Sequence, residues 1–299
     1  MQYDTIRIKT PPLQEWKNEV FDTHQLSVYI LRLDLIHPEI NGNKYFKLKY
    51  NLNEFFNSEK EAILTFGGAY SNHIRATAFA GKLYGIRTIG LIRGEELRTD
   101  SNEILQSASA SGMELKFISR SEYRKIDNSG FLTQLESEFG KILILPEGGS
   151  NENAILGAEE IYNFIPDNIN WICVSCGTGG TLAGIGRRIK AHQKILGVNV
   201  LNADNYIAKQ WMKFNSGEIL PGNVSIFDEF HFGGYAKDSR ELTNFCDGFE
   251  YENNFRPDEI YNAKLFFAVQ TLAVRKKFEP KSKILCINTG GFPKERKII

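Results

Sequence analysis

A chain of 299 residues with 42% hydrophobic content can supply one large or two modest domains with real cores, which excludes a tail or a disordered scaffold. Lys and Arg number 36 against 36 Asp and Glu, so no net field draws the protein to nucleic acid or an anionic membrane, and a small molecule is the expected ligand. The opening run MQYDTIRIKTPPLQEW lacks an apolar signal core, and no later stretch approaches the roughly 20 apolar residues that span a bilayer. A cytoplasmic protein is expected.

The first informative segment is NGNKYFKLKYNL (41–52). After Lys44, the residues Leu48, Leu52, Phe55 and Phe56 recur at helical spacing, which predicts a helix that starts at Lys44 behind a loop of Asn and Gly. The positive end of a helix dipole disfavours a second positive charge, and burial would push the amine further toward its neutral, nucleophilic form. A lysine that condenses with an aldehyde needs that form. The same pattern also fits a solvated lysine in a basic stretch, and Lys47 and Lys49 read as ordinary surface or supporting residues.

From residue 60 the chain alternates apolar runs with amphipathic stretches. AILTF (62–66), RTIGLI (87–92), ELKFI (114–118), KILIL (141–145), WICVSC (171–176) and KILCINT (283–289) read as strands, and helix-length segments separate the first five. This rhythm predicts an α/β fold with a mainly parallel sheet covered by helices. Ligands of such sheets sit beyond the carboxyl ends of the strands, where GGAYSNH (67–73), CGTGGT (176–181) and TGG (289–291) fall. The three segments are expected to face one crevice.

In GGAYSNH, Ser71 and Asn72 suit a helix N-cap. The same hydroxyl, amide and free N–H groups also suit a substrate carboxylate or a ring hydroxyl. His73, taken alone, reads as a surface histidine. The segment CGTGGT lies between a strand and the helical run LAGIGRRIKAHQ, so its glycines can aim successive N–H groups at an anion while Thr178 and Thr181 add hydroxyls. It reads as a phosphate cradle or as a purely structural turn. It is no Walker loop, since no Gly-Lys-Ser/Thr follows, and it lacks the dinucleotide fingerprint. Cys173 and Cys176, the one C-x-x-C among four cysteines, lie inside an apolar run without further ligands at metal spacing, so they read as packed strand residues and no metal is expected.

Together these residues resemble the fold type II pyridoxal-phosphate enzymes, and within them the branch of 1-aminocyclopropane-1-carboxylate deaminase and D-cysteine desulfhydrase. NGNKYFKLKY is similar to the branch's GGNK-x-x-KLEY, which implies that Lys44 holds pyridoxal 5'-phosphate as a Schiff base. GGAYSNHIR resembles GG-x-x-SN-x-x-R, which implies Ser71 as acid/base residue or substrate contact, Asn72 near the ring hydroxyl or the substrate carboxylate, and His73 at the substrate. GTGGT is similar to the phosphate loop, giving that role to Gly177, Thr178, Gly179, Gly180 and Thr181. PDEIYNAK (257–264) resembles the segment whose tyrosine stacks on the pyridine ring, here Tyr261, and Tyr235 in FHFGGYA is similar to a second active-site tyrosine. INTGG (287–291) resembles the closing loop and implies Thr289 beside the pyridine nitrogen. The resemblance runs in order from about residue 5 to 292.

The chain departs from the cyclopropane deaminases at two positions. Where they carry a glutamate after the stacking tyrosine and a leucine before the final Gly-Gly, this chain has Asn262 and Thr289. Neither side chain can keep a pyridine nitrogen protonated, since a threonine hydroxyl is a weak neutral donor and an amide is no acid. A milder electron sink favours α-proton removal with loss of a good β-leaving group over cyclopropane opening. The expectation is a lyase that breaks D-cysteine or a related β-substituted amino acid into a 2-oxo acid and ammonia, with Lys44, Ser71 and Tyr261 as catalytic residues. The alternatives are 1-aminocyclopropane-1-carboxylate deaminase activity and a pyridoxal-phosphate protein without efficient turnover. The resemblance further implies a small domain at 49–152, a large domain of 1–48 plus 153–299, two open mainly parallel sheets flanked by helices with the cofactor in the cleft between domains, and a homodimer.

Overall fold

The computed structural model describes residues 6–237 and 239–291; residues 1–5, 238 and 292–299 of the expected large domain lie outside the described residues. Ten strands occur among the described residues: β1 (Leu13–Glu15), β2 (Ser27–Arg32), β3 (Ala62–Gly67), β4 (Arg87–Arg93), β5 (Glu114–Ile118), β6 (Ile142–Leu145), β7 (Trp171–Cys176), β8 (Lys194–Asn199), β9 (Val224–Phe227) and β10 (Lys283–Asn288). The chain divides into two compact units, one of Met1–Arg7 and Lys44–Gly157, the other of Ile8–Asn43 and Ala158–Ile299.

The first unit holds a four-stranded sheet in the order β5-β4-β3-β6, with every pair parallel. Side chains alternate across a strand, so each buried strand feeds two cores. Ala62, Leu64 and Phe66 of β3 and Ile89 and Leu91 of β4 pack with Tyr123 and Leu135 on one face. On the other, Ile92 meets Ile74 and Ala78 of the helix Asn72–Tyr84, together with Leu105, Ala108 and Met113.

The second unit holds a six-stranded sheet in the order β1-β2-β10-β7-β8-β9, parallel except for β1 against β2. Its core runs from Trp16 and Phe21 through Val28, Ile30, Trp171, Cys173 and Cys286 to Leu265, Phe266 and Val269 of the helix Asn262–Val274. Placing β10 between β2 and β7 brings the carboxyl ends of the last strand and of β7 side by side. The segments after them, TGG and CGTGGT, therefore become neighbours, as the parallel-sheet rule requires.

The fold is thus the expected α/β arrangement of two mainly parallel sheets flanked by helices. All six expected strands are present, with ends displaced by at most one residue. Four strands were not legible. β8 was not anticipated because LAGIGRRIKAHQ reads as one helical run as far as Gln193; the helix there covers only Gly180–Gly186, and the chain turns and re-enters the sheet at Lys194. Cys173 and Cys176 are buried on β7. No helix of the described residues is long and apolar enough to cross a membrane.

Candidate active site

Lys44 is the second residue of the helix Asn43–Phe56, at the predicted position, and its side chain is partly exposed. The loop before it is tied down within the second unit. Asn43 donates through its backbone N–H to the Thr289 carbonyl (3.0 Å) and through Nδ2 to Thr181 Oγ1 (2.8 Å). Gly42 has φ +63°, and a Cβ there would lie 1.9 Å from the Thr289 carbonyl oxygen, so only glycine permits this approach. Asn41 Oδ1 accepts the Gly291 N–H at 3.3 Å. The NGN loop is thus a clasp on the two glycine-rich segments, and Lys44 is the next residue in the chain.

Of those segments, Gly177 and Thr178 are partly exposed while Gly179, Gly180 and Thr181 are buried at the start of Gly180–Gly186. Gly179 takes a left-handed conformation, φ +78°. A Cβ on Gly177 would come within 3.0 Å of Tyr261 Cε1, so the bare turn leaves room for the tyrosine ring beside it. Tyr235 meets the same ring edge-on, centroids 6.2 Å apart at 68°. A glycine turn at a helix start next to a flat aromatic face suits a phosphate joined to a planar ring.

The end of β10 adds a closed polar network. Asn262, buried, donates through Nδ2 to Asp258 Oδ2 and to the Gly290 carbonyl (2.8 Å), and its Oδ1 accepts the Thr289 N–H (2.9 Å) and hydroxyl (3.2 Å). The amide has both protons and both lone pairs engaged, so it holds Thr289 rather than facing a ligand. Ser175 Oγ lies 3.3 Å from Thr289 Oγ1. Asp258 accepts from the N–H groups of Ile260, Tyr261 and Asn262 at 3.2, 2.8 and 3.1 Å, which anchors the start of the helix carrying Tyr261. Burial, opposed by these donors, pushes its carboxyl up to about 6.

In the first unit, Ser71 caps Asn72–Tyr84 as predicted, its Oγ accepting the Ile74 N–H at 3.3 Å. Capping uses a lone pair and leaves the hydroxyl proton for another acceptor. Asn72, the first helical residue, is partly exposed. His73 overturns its reading as a surface histidine: it is 1% exposed, because it lies on the inward face of the helix, one turn before Thr77. Its Nε2 is 2.9 Å from Thr65 Oγ1, and Thr65 donates its only proton to the Leu145 carbonyl at 3.0 Å. A carbonyl cannot donate, so Nε2 carries the hydrogen and Nδ1 is a bare lone pair. That Nδ1 is buried with no hydrogen-bond partner among the described residues. Burial first, then the charges of Lys44 and Lys47, hold the ring well below its usual pKa and therefore neutral. Gly149, at φ +67°, makes room for the ring: a Cβ there would sit 2.7 Å from His73 Cε1.

Of the two readings of Lys47, surface or supporting, the structure shows the second. It is 2% exposed and donates to the Gly148 carbonyl (3.1 Å) and Ser150 Oγ (2.7 Å), which makes it a support of the Gly148–Ser150 turn. Lys49 is partly exposed over the Tyr50 ring. Sequence reading missed Asn43, Thr65, Asp258 and Lys264. The first stood beside the recognised lysine, but the partners of the others come from distant segments and carry no local signal.

The family model described as pyridoxal-phosphate dependent enzyme matches residues 8–290. A Thermotoga maritima protein, named provisionally as a 1-aminocyclopropane-1-carboxylate deaminase, is 28% identical over 98% of this chain and 99% of its own. The bifunctional D-cysteine desulfhydrase/1-aminocyclopropane-1-carboxylate deaminase of Arabidopsis thaliana mitochondria is also 28% identical, over 88% of this chain and 72% of its own. Among solved structures, a 1-aminocyclopropane-1-carboxylate deaminase homologue superposes with a TM-score of 0.79 at 24% identity, covering 96% of this chain and 92% of that one. A glycine turn beside an aromatic ring and a family match over nearly the whole length lead to one conclusion: the chain belongs to the pyridoxal-phosphate dependent enzymes.

Proposed function

We propose that this enzyme converts a small β-substituted amino acid, D-cysteine or a close analogue, into a 2-oxo acid and ammonia by β-elimination. The observation that carries the reading is the clasp of Asn43, which links the residue before Lys44 to Thr181 of the glycine turn and to Thr289. Lys44 is the amine that holds the cofactor, and it moves the proton of the substrate α-carbon. Bound pyridoxal phosphate supplies a conjugated electron sink for charge developing at that carbon. Gly177, Thr178, Gly179, Gly180 and Thr181 hold its phosphate, and Tyr261 covers its ring. Ser71 contributes the hydroxyl proton that capping leaves uncommitted, to the substrate or as a second acid, while Asn72 contacts the substrate; His73, expected there too, is buried against Thr65 and backs this helix start instead. Tyr235 closes the substrate side.

The fully engaged amide of Asn262 supports elimination over cyclopropane opening, because the side chain nearest Thr289 is spent on structure and supplies no proton. The names of the relatives span both chemistries. Purified protein supplied with D-cysteine, L-cysteine, D-serine and 1-aminocyclopropane-1-carboxylate is expected to release pyruvate from at least one of the first three. Release of 2-oxobutyrate from the last alone reverses the choice, and a yellow protein inert with all four is a carrier. The reading extends to a cytoplasmic homodimer with 49–152 as the small domain, supported by family resemblance; sedimentation at twice the 34.0 kDa of one chain is the expected result, and a monomer at working concentration contradicts it.

A further inference from the structure

Lys264 lies three residues into the helix Asn262–Val274 and is 0% exposed. Its Nζ donates to three backbone carbonyls, of Gly234 (2.7 Å), His231 (2.8 Å) and Val200 (3.4 Å). Burying an ammonium is costly unless its protons find acceptors, and here each of the three does. The carbonyls belong to segments that matter for the site. Val200 follows β8 and its N–H is held by the Cys176 carbonyl, the residue before the glycine turn. His231 and Gly234 belong to the loop that ends in Tyr235.

That loop does not hold its shape unaided. Phe232, Gly233, Gly234 and Ala236 have φ of 51°, 87°, 115° and 55°, so two residues with side chains sit in the left-handed region within five positions. Such a backbone costs energy at each non-glycine residue and persists only where surrounding contacts over-determine it. Two local bonds help: His231 Nδ1 accepts the Gly233 N–H at 2.9 Å, and the His231 carbonyl accepts the Gly234 N–H. Neither reaches out of the loop. Lys264 does, and it joins the loop to the helix that begins at Tyr261 and Asn262.

We propose that Lys264 is a positioning residue: its ammonium acts as a built-in cation whose carbonyl cage fixes the His231–Gly234 loop, so that Tyr235 is presented against Tyr261. The inference rests on the reading of Tyr235 as a substrate-side residue. A cage of carbonyl oxygens around one positive charge has a testable property, for ammonium and potassium ions also bind through carbonyls. Removing the side chain leaves the cage and takes away its cation.

The test uses the full-length enzyme with its cofactor. Lys264→Ala is expected to raise KM about tenfold with cofactor affinity unchanged, because the loss falls on substrate positioning. Added ammonium or potassium chloride should restore KM, whereas tetramethylammonium, too large for the cage, should not. Hydrogen exchange of amides 232–236 reads the same event without any substrate: it should quicken in Lys264→Ala and slow again with ammonium. Recovery of protection without recovery of KM would keep the loop anchor and reject the substrate role of Tyr235. Unchanged exchange, or a defect that neither small cation reverses, overturns the proposal. Should Lys264→Ala not fold, Lys264→Ser, which is as short and leaves the cage open, replaces it and must show the same cation-reversible exchange.

Discussion

At the scale of single residues, the informative features are side chains whose every proton can be traced. Thr65 has one, given to Leu145, and this fixes the tautomer of His73. The buried, neutral ring has a consequence for stability. Its folded pKa lies below its unfolded value, so the unfolded chain binds more protons as pH falls through about 6.5, and the folded state loses stability by up to about 1.4 kcal/mol per pH unit. Asp258 acts in the opposite sense: its carboxyl, raised to about 6 from 3.8, binds a proton in the folded state first, so acidification below pH 6 adds stability. We predict that His73→Gln flattens the loss between pH 7 and 6 and that the variant then gains stability toward pH 5; thermal melts across that range check it. A variant with the same acid profile as the parent contradicts the buried neutral imidazole. The tautomer itself is read by nitrogen NMR. Thr65→Ser should keep a protonated Nε2 and an unprotonated Nδ1, whereas Thr65→Val, which has no oxygen to accept Nε2–H, should let the proton redistribute.

At the scale of elements, the site is assembled by strand ends and helix starts, and the most demanding junction is Gly42 on Thr289. A Cβ at 1.9 Å from a carbonyl oxygen cannot be absorbed by a side-chain shift, and φ +63° strains any other residue. Gly42→Ala is expected to cost roughly 2 to 4 kcal/mol and to weaken cofactor retention, since the Asn43 bonds to Thr289 and Thr181 move with it. Denaturant melts and cofactor titration measure both; wild-type values in the two would remove the clasp from the account. Much at this scale was legible. Apolar runs separated by helix-length segments gave six strands, and Lys44, Ser71 and the 177–181 turn stand at the helix starts where spacing put them. What was hidden shares one cause: long-range pairing. Thr65 and Leu145 are eighty positions apart, Asn43 and Thr181 farther, and Lys264 looks in sequence like any helical lysine until three distant carbonyls converge on it. Local periodicity also misjudged depth: it left His73 on a surface from which the ring is excluded, and it could not tell whether Lys47 was a surface or a supporting residue.

At the scale of the whole molecule, chemistry depends on whether one amine carries the cofactor. The family gives the cofactor, and the resemblance of NGNKYFKLKY gives the lysine. Lys47 stands one turn away on the same helix but is committed to the Gly148 carbonyl and Ser150, and Lys264 is committed to its carbonyl cage, so neither competes with Lys44 as the proposed covalent amine. The most direct measurement is to reduce the yellow enzyme with borohydride, digest it and locate the pyridoxyl group by mass spectrometry. The account predicts the group on Lys44 in the peptide around NGNKYFK, together with loss of colour in Lys44→Ala. A pyridoxyl group on any other lysine, or a Lys44→Ala protein that remains yellow and active, would contradict it.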